Sequence, residues 1–314
     1  PAVGTSSMEV VDRKGPVYTY ENRAGHDAWT VAKGALGKSG ARWLPVRRPG
    51  AYTGDVFVTI ARSLGIELGP PKLIETLPGE AEVLARHSSA DLRSILKDML
   101  KYSTNVTAEM VGMAASAKRL GSFDSLRASA AEMNRWAMEE LGMDRPAMVD
   151  HSGLSDDSKM TARDMALGLA QVHGSGLRPI LKPAYLRDDR GRPERDSPIE
   201  IDAKTGTLNF VSALAGYLTT PEDRVLAFAI LTANPAERAK ISRAERERPP
   251  GARGWNARAK RVQRGLLERW ALLYNARIAP ETEQVPAADP QAVPTPAAEP
   301  QTEEAPAVPA AEES

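Results

Sequence analysis

Ala203-Lys-Thr-Gly-Thr-Leu-Asn-Phe-Val-Ser-Ala-Leu-Ala-Gly-Tyr-Leu218, followed beyond a Pro221-Glu-Asp223 turn by Arg224-Val-Leu-Ala-Phe-Ala-Ile-Leu-Thr232, is the stretch whose reading decides the fold. Both runs are rich in β-branched, aromatic and aliphatic residues, and the proline cluster between them punctuates the chain. Val225–Leu231 is almost wholly apolar, as for a strand covered on both faces. At the head of the first run stands Lys204-Thr205-Gly206-Thr207. A glycine in a strand lets a second backbone approach closely. The lysine and the two hydroxyls have the donors to hold a carboxylate. From the composition alone, roughly 0.05 chance occurrences of Lys-Thr-Gly are expected. The plain alternative is a hairpin edge with a solvated lysine.

A second short pattern, Ser103-Thr104-Asn105, lies about a hundred residues upstream. Alone it is weak, with roughly 0.45 chance matches to Ser-X-Asn expected. A helix-terminal serine with an asparagine cap would explain it equally well. Its setting adds weight, because it falls between helical segments at Ala90–Lys101 and Thr107–Arg119. Polar residues on such a loop can face a cleft rather than a core.

Helical periodicity fills most of the chain before the strands. Val56, Ile60 and Leu64 lie on one face of Gly54–Leu64, and Leu92, Leu96 and Met99 repeat the pattern. Leu126, Met133 and Trp136 share a face of the helix after Ser122. Thr161 is an N-cap with Asp164 three residues on, and Met160 and Met165 stand at staple positions. These Met and Trp stripes read as core. Ala257–Tyr274 is amphipathic, with Val262, Leu266, Trp270 and Leu273 on the apolar side and Lys260, Arg261 and Arg264 away from it. That charge reads as a solvated face, with an acidic partner or a membrane surface as the alternative. Residues 1–48 carry strand-like pieces at Pro16–Tyr20 and Trp29–Lys33. Residues 279–314 are Pro, Ala, Glu and Gln with little to bury, the composition of a disordered acidic tail or linker.

With 41 basic and 41 acidic residues the chain has no net charge, hence no electrostatic footprint for nucleic acid. It has no cysteine, which excludes disulfides, thiolate metal sites and thiol catalysis. His26, His87, His151 and His173 show no metal-ligand spacing. No apolar run reaches the ~18 residues of a membrane helix.

Taken together, the motifs resemble the class C penicillin-binding proteins, the D-alanyl-D-alanine carboxypeptidase/endopeptidases of the S13 peptidase family. His87-Ser-Ser-Ala-Asp-Leu92 through Ile95 to Glu109 looks like the family's Ser-X-Asn region. Asp150-His-Ser-Gly-Leu-Ser155 with Thr161-Ala-Arg-Asp-Met165 is similar to its Asp-Gly-Ser-Gly-Leu-Ser segment and following helix, with His151 in place of the glycine. Lys204-Thr-Gly-Thr-Leu208 and Leu214-Ala-Gly-Tyr217 resemble its third motif and strand. The likeness covers roughly residues 49–275.

The resemblance implies an α+β, penicillin-binding/serine β-lactamase-like fold: an antiparallel sheet with helices on both faces and a helical region beside it. It divides the chain into the end of an inserted accessory β-domain (1–48), the C-terminal part of a DD-peptidase domain (49–278) and the tail (279–314). By the same likeness Ser103 relays a proton, Asn105 and Lys204 complete the catalytic set, and Thr205, Gly206 and Thr207 bind substrate. The family's nucleophile is the serine of a Ser-X-X-Lys on a separate, earlier helix. The one such pattern here, Ser94-Ile-Leu-Lys97, sits on the helix leading into Ser103. The expectation is therefore a chain lacking its N-terminal part, with no nucleophile of its own. Peptidoglycan stem peptides would be the substrate, β-lactams the inhibitors and the periplasm the location. No metal or organic cofactor is implied, and the oligomeric state stays open. A non-catalytic peptide-binding homologue and a β-lactamase-like hydrolase remain the alternatives.

Overall fold

The computed structural model describes residues 3–37, 44–76, 79, 82–188, 190–242, 245, 247 and 249–275. The segment 279–314 lies outside the described residues.

Three strands open the chain: β1 (Ser6–Val11), β2 (Tyr18–Arg23) and β3 (His26–Ala32). They form a sheet in the order β1-β3-β2, with β1 parallel and β2 antiparallel to the central strand. Only the central strand buries residues, among them Ala28, Val31 and Ala32. Sequence periodicity marks β2 and β3 but not β1, whose middle residues are all exposed and whose polar start gives no alternation. The sheet is tied to α1 (Pro49–Ser63) through Thr5, whose N–H and hydroxyl both donate to Asp55 Oδ2 at 2.8 and 3.0 Å.

Four helices follow: α2 (Leu92–Tyr102), α3 (Asn105–Leu120), α4 (Leu126–Leu141) and α5 (Ala162–Gln171). Three of their four starts are capped, the one at Thr161 as the sequence leads one to expect, while Thr104 before α3 makes no side-chain cap bond. Asp91 caps α2, Ser125 caps α4, and Thr161 accepts from the Asp164 N–H to cap α5. Asp164 is buried and does more than cap. Its carboxylate also accepts the N–H groups of Asp144 and Arg145, at 2.8 and 3.3 Å, fastening the exit of α4 to the start of α5.

The second sheet has the order β4-β5-β6-β7, all antiparallel, from β4 (Lys182–Ala184), β5 (Glu200–Leu208), β6 (Val211–Thr219) and β7 (Val225–Ala233). The run Ala203–Leu218, continuous in the sequence, is thus two strands. Asn209 and Phe210 make the turn, with Phe210 at a left-handed φ of 61°. A bulky residue seldom accepts that conformation, so no turn signal shows in the sequence. Tertiary contacts impose it: Phe210 is buried edge-on against Trp255, and its carbonyl accepts the Asn234 N–H at 2.8 Å.

Helices cover both faces. On one, Leu169 of α5 packs with Leu181 and the fully buried Tyr217, whose hydroxyl donates to the Leu169 carbonyl at 2.6 Å. On the other, after the short α6 (Pro235–Ala239), the long α7 (Ala252–Leu273) sets Leu267 and Ala271 against Ile201, Leu214, Leu218 and Phe228. The face α7 buries is Ala259, Gln263, Leu267 and Ala271. That is one residue round from the stripe the large side chains suggest. Leu266 and Trp270 flank it half-buried, while Val262 and Leu273 are exposed. Small residues let the helix lie close to the sheet, and Gln263 is admitted because its amide donates to Ser212 Oγ at 3.1 Å.

Candidate active site

The site begins where α2 stops. Ser103 ends that helix in the left-handed region, at φ 56° and ψ 51°, a place usually taken by glycine. The conformation costs a serine about 1 kcal/mol. It turns the chain at once into α3, with Thr104 as the N-cap and Asn105 as the first helical residue. The sequence reading put Asn105 on a loop. The loop is shorter, and Asn105 projects from the first turn of α3.

Lys204 comes from the sheet. Its Nζ donates to Ser103 Oγ at 2.5 Å and to the Thr205 carbonyl. The structure therefore joins the two motifs across 101 residues of sequence. Half-burial holds the Lys204 ammonium below the usual lysine range. With the ammonium donating to it, Ser103 Oγ keeps its own hydrogen free to point elsewhere. Asn105 is exposed, and its side-chain amide has no hydrogen-bond partner among the described residues.

Strand alternation sorts the remaining motif residues. Lys204 and Gly206 lie opposite Ala215 and Ala213, on the α5 face of the sheet. Thr205 and Thr207 lie opposite Leu214 and Ser212, on the α7 face, and both are exposed. All four stand on a strand whose outer edge is nearly bare. The three-residue β4 pairs only with Ile201–Ala203, so Lys204–Leu208 have no outer strand among the described residues. Gly216, opposite Ala203, lets β5 lie close against β6. A side chain on it would sit 2.1 Å from the Asp202 carbonyl oxygen, two residues before Lys204.

Ser94 is placed apart from this cluster. Its hydroxyl donates to Asp91 Oδ2 at 2.7 Å, in the first turn of α2. It is about 14 Å along the helix axis from Ser103. An open hollow of about 590 Å³ also lies to one side. Lys97, Arg178, Glu200 and Asp202 are among its lining residues. The Arg178–Asp202 ion pair at 2.8 Å accounts for its charged floor. Among the described residues no group of three His, Asp or Glu could hold a metal ion.

Two supporting residues escaped the sequence reading. Glu109, one turn after Asn105, accepts the N–H groups of His151 and Ser152 at 2.9 and 3.1 Å. Asn256 of α7 donates to the Leu208 carbonyl at 3.0 Å, at the end of the Lys-Thr-Gly-Thr strand. The i, i+4 spacing from Asn105 was the available signal for Glu109. None existed for Asn256.

Residues 15–180 and 188–248 match the D-Ala-D-Ala carboxypeptidase 3 (S13) family. The chain belongs to this family. It is similar to a D-alanyl-D-alanine carboxypeptidase of Actinomadura sp. (strain R39), 31% identical over 204 residues, covering 59% of this chain and 37% of that protein. A carboxypeptidase of Mycobacterium tuberculosis is 32% identical over 193 residues, covering 57% of this chain and 41% of the relative. The chain thus spans about two-fifths of these relatives' length. Among solved structures, penicillin binding protein 4 from Haemophilus influenzae superposes with a TM-score of 0.58 at 19% identity, over 88% of this chain and 61% of that one. The S13 member described here thus shares the α+β fold of that protein.

Proposed function

We propose that this chain carries the substrate-gripping side of a serine D-Ala-D-Ala peptidase site that works through an acyl-enzyme. The observation that carries the reading is the 2.5 Å bond from Lys204 to Ser103, which brings the two motifs together. In the proposed reaction a serine attacks the penultimate D-alanyl carbonyl, D-alanine leaves, and water resolves the ester. Ser103, its oxygen polarised by Lys204, passes a proton to the departing amine. Asn105 hydrogen-bonds a peptide carbonyl of the substrate. Lys204 draws in the terminal carboxylate from the α5 face of β5, and the exposed hydroxyls of Thr205 and Thr207, on the other face, meet it only around the bare edge of the strand. The bare edge of β5 beyond β4 suits an extended peptide added as an outer strand. There the Thr207 N–H serves as an oxyanion donor, worth about 3 kcal/mol.

Peptidoglycan stem peptides are the proposed substrates, with β-lactams as their mimics and the periplasm as the place of action. Ser94 is not the nucleophile in this reading, because its hydroxyl is spent on the Asp91 cap far from Lys204. The test is labelling by a fluorescent penicillin, read on a denaturing gel. This chain alone is expected to stay unlabelled. A version extended upstream to include a Ser-X-X-Lys helix is expected to label, and Lys204→Ala is expected to slow that by about a hundredfold. Labelling of the present chain that vanishes in Ser94→Ala would overturn the assignment of roles. An extended version that stays unlabelled would favour a protein that only grips peptides.

A further inference from the structure

Asn105, Glu109, Gly112 and Ser116 lie at i, i+4, i+7 and i+11, on one stripe of α3. The last three hold a single object, the segment that begins at Asp150. Glu109 takes the two N–H groups of residues 151 and 152. Gly112 leaves a notch for the His151 ring, since a side chain there would overlap the imidazole at 2.1 Å. Ser116 closes a chain of hydroxyls: His151 Nε2 meets Ser129 Oγ at 2.8 Å, and Ser129 donates on to Ser116 at 2.7 Å. Both serines are buried.

We propose that His151 is a positioning residue: wedged between Gly112 of α3 and Ser129 of α4, it fixes the rotation of α3 and with it the side chain of Asn105. The proposal rests on the reading of Asn105 as a site residue.

The hydroxyl chain also sets the ring's protonation. Ser129 spends its hydrogen on Ser116, and Ser116 spends its own on the Ser129 carbonyl at 3.3 Å. Nε2 must therefore carry the ring hydrogen and donate to Ser129. Nδ1 is left facing the Met133 sulfur at 3.2 Å, a poor acceptor for a second proton. Burial pushes His151 below the ordinary histidine value, against the attraction of Glu109 on α3 and Asp150 on its own segment. From α4 the ring meets only the uncharged Ser129 and Met133, while Glu132 of that helix is bound by Arg119 and Arg135. Protonating His151 puts a hydrogen against the thioether and loosens the wedge, so Asn105 responds to acid through a residue it does not touch.

The test is NMR on the whole chain, titrated from about pH 7.5 to about 4.5, following the four histidine rings and the Asn105 side-chain amide. His151 is expected to titrate below the ordinary histidine value, and the Asn105 amide signals to move with the same midpoint. In His151→Gln, which keeps a donor for Ser129 and cannot titrate, that midpoint should vanish from Asn105. Met133→Gln gives Nδ1–H an oxygen acceptor and should raise both midpoints together. Asn105 signals that stay flat while His151 titrates would overturn the proposal, as would a Met133→Gln midpoint that rises for His151 and not for Asn105. No substrate enters this experiment, so its outcome is separate from that of the penicillin labelling.

Discussion

The two sides of the candidate site are built by different means. Lys204–Thr207 ride on a sheet closed by α5 and α7, with Ile201, Ala203, Leu214 and Tyr217 buried around them. Ser103 and Asn105 ride on α2 and α3, and α2 has no buried residue at all. Leu92, Val106 and Met110 of these helices are 60%, 72% and 62% exposed. Non-directional apolar packing fixes the strand side, whereas a few directed polar links fix the helix side. The Lys204–Ser103 bond, the Glu109 carboxylate and the His151 wedge are the main ones. Polar links hold geometry sharply but contribute little each, so the helix side should loosen first.

Truncation should separate the two sides most. Leu218 is fully buried in the sheet core, and Leu218→Ala should cost about 3 kcal/mol or more, by transfer and by the cavity left behind. Met110→Ala on α3 should cost less than about 0.5 kcal/mol. Urea denaturation of both variants checks the contrast. Equal losses would mean that the helix side is packed as firmly as the sheet.

A smaller and local effect is expected on removing a polar link. Glu109→Gln leaves one of two backbone N–H groups facing an amide instead of a carboxylate oxygen, at a cost of about 1–3 kcal/mol. Hydrogen exchange should show the loss at the amides of His151 and Ser152 and leave β6 unchanged. Exchange that rises equally in β6 would show one cooperative unit instead of two unequal ones.

Acid should also act on the helix side. Asp164 is held below the usual carboxylate range, first by the Asp144 N–H, then by the Thr161 hydroxyl and the Arg145 N–H, against the opposing effect of its burial. A folded-state value below the unfolded one gives stability that is complete above about pH 3.8 and lost as pH falls through the folded value. His151, also lowered, is lost from higher up, because the unfolded chain takes a proton as pH falls through about 6.5 while the folded chain resists. Melting temperature should therefore decline in two stages on acidification. His151→Gln should remove the first stage, and Asp164→Asn should reduce the second, to which the likewise lowered Asp27, Asp91, Asp150 and Asp188 also contribute.

The same division explains what was legible in the sequence. The strands, the Lys-Thr-Gly motif and the cap at Thr161 follow from periodicity and local hydrogen bonding. The turn at Asn209–Phe210 does not, because Trp255 and Asn234, distant in the chain, enforce it. The buried stripe of α7 was misplaced by one residue because hydropathy favours Leu266 and Trp270, while close packing selected Ala259, Gln263 and Ala271. Ser103 and Lys204 could be paired only through the family likeness. Glu109 holds backbone N–H groups, Ser129 lends a buried hydroxyl and Gly112 leaves a notch, and beyond the i, i+4 spacing of Glu109 from Asn105 these leave no pattern in residue type.

The smallest expected effect is that of Ser94→Ala, and it bears on the comparison because Ser94 is the one serine in this chain that heads a Ser-X-X-Lys pattern. Its hydroxyl bond to Asp91 is exposed, and such bonds exchange readily with water. The cap itself survives the change, since Asp91 Oδ1 still accepts the backbone N–H of residue 94, at 3.0 Å. Stability should move by less than about 0.5 kcal/mol. Asp91→Ala, which removes the cap, should cost about 1 kcal/mol. A nucleophile would behave differently, because its removal abolishes covalent capture while leaving stability alone. Thermal melting and penicillin labelling of the same two variants therefore distinguish the roles. A cap partner gives a small graded loss of stability and no change in labelling. Labelling that depends on Ser94 would instead move the reacting centre onto α2, and Ser103 would then be no more than that helix's stop.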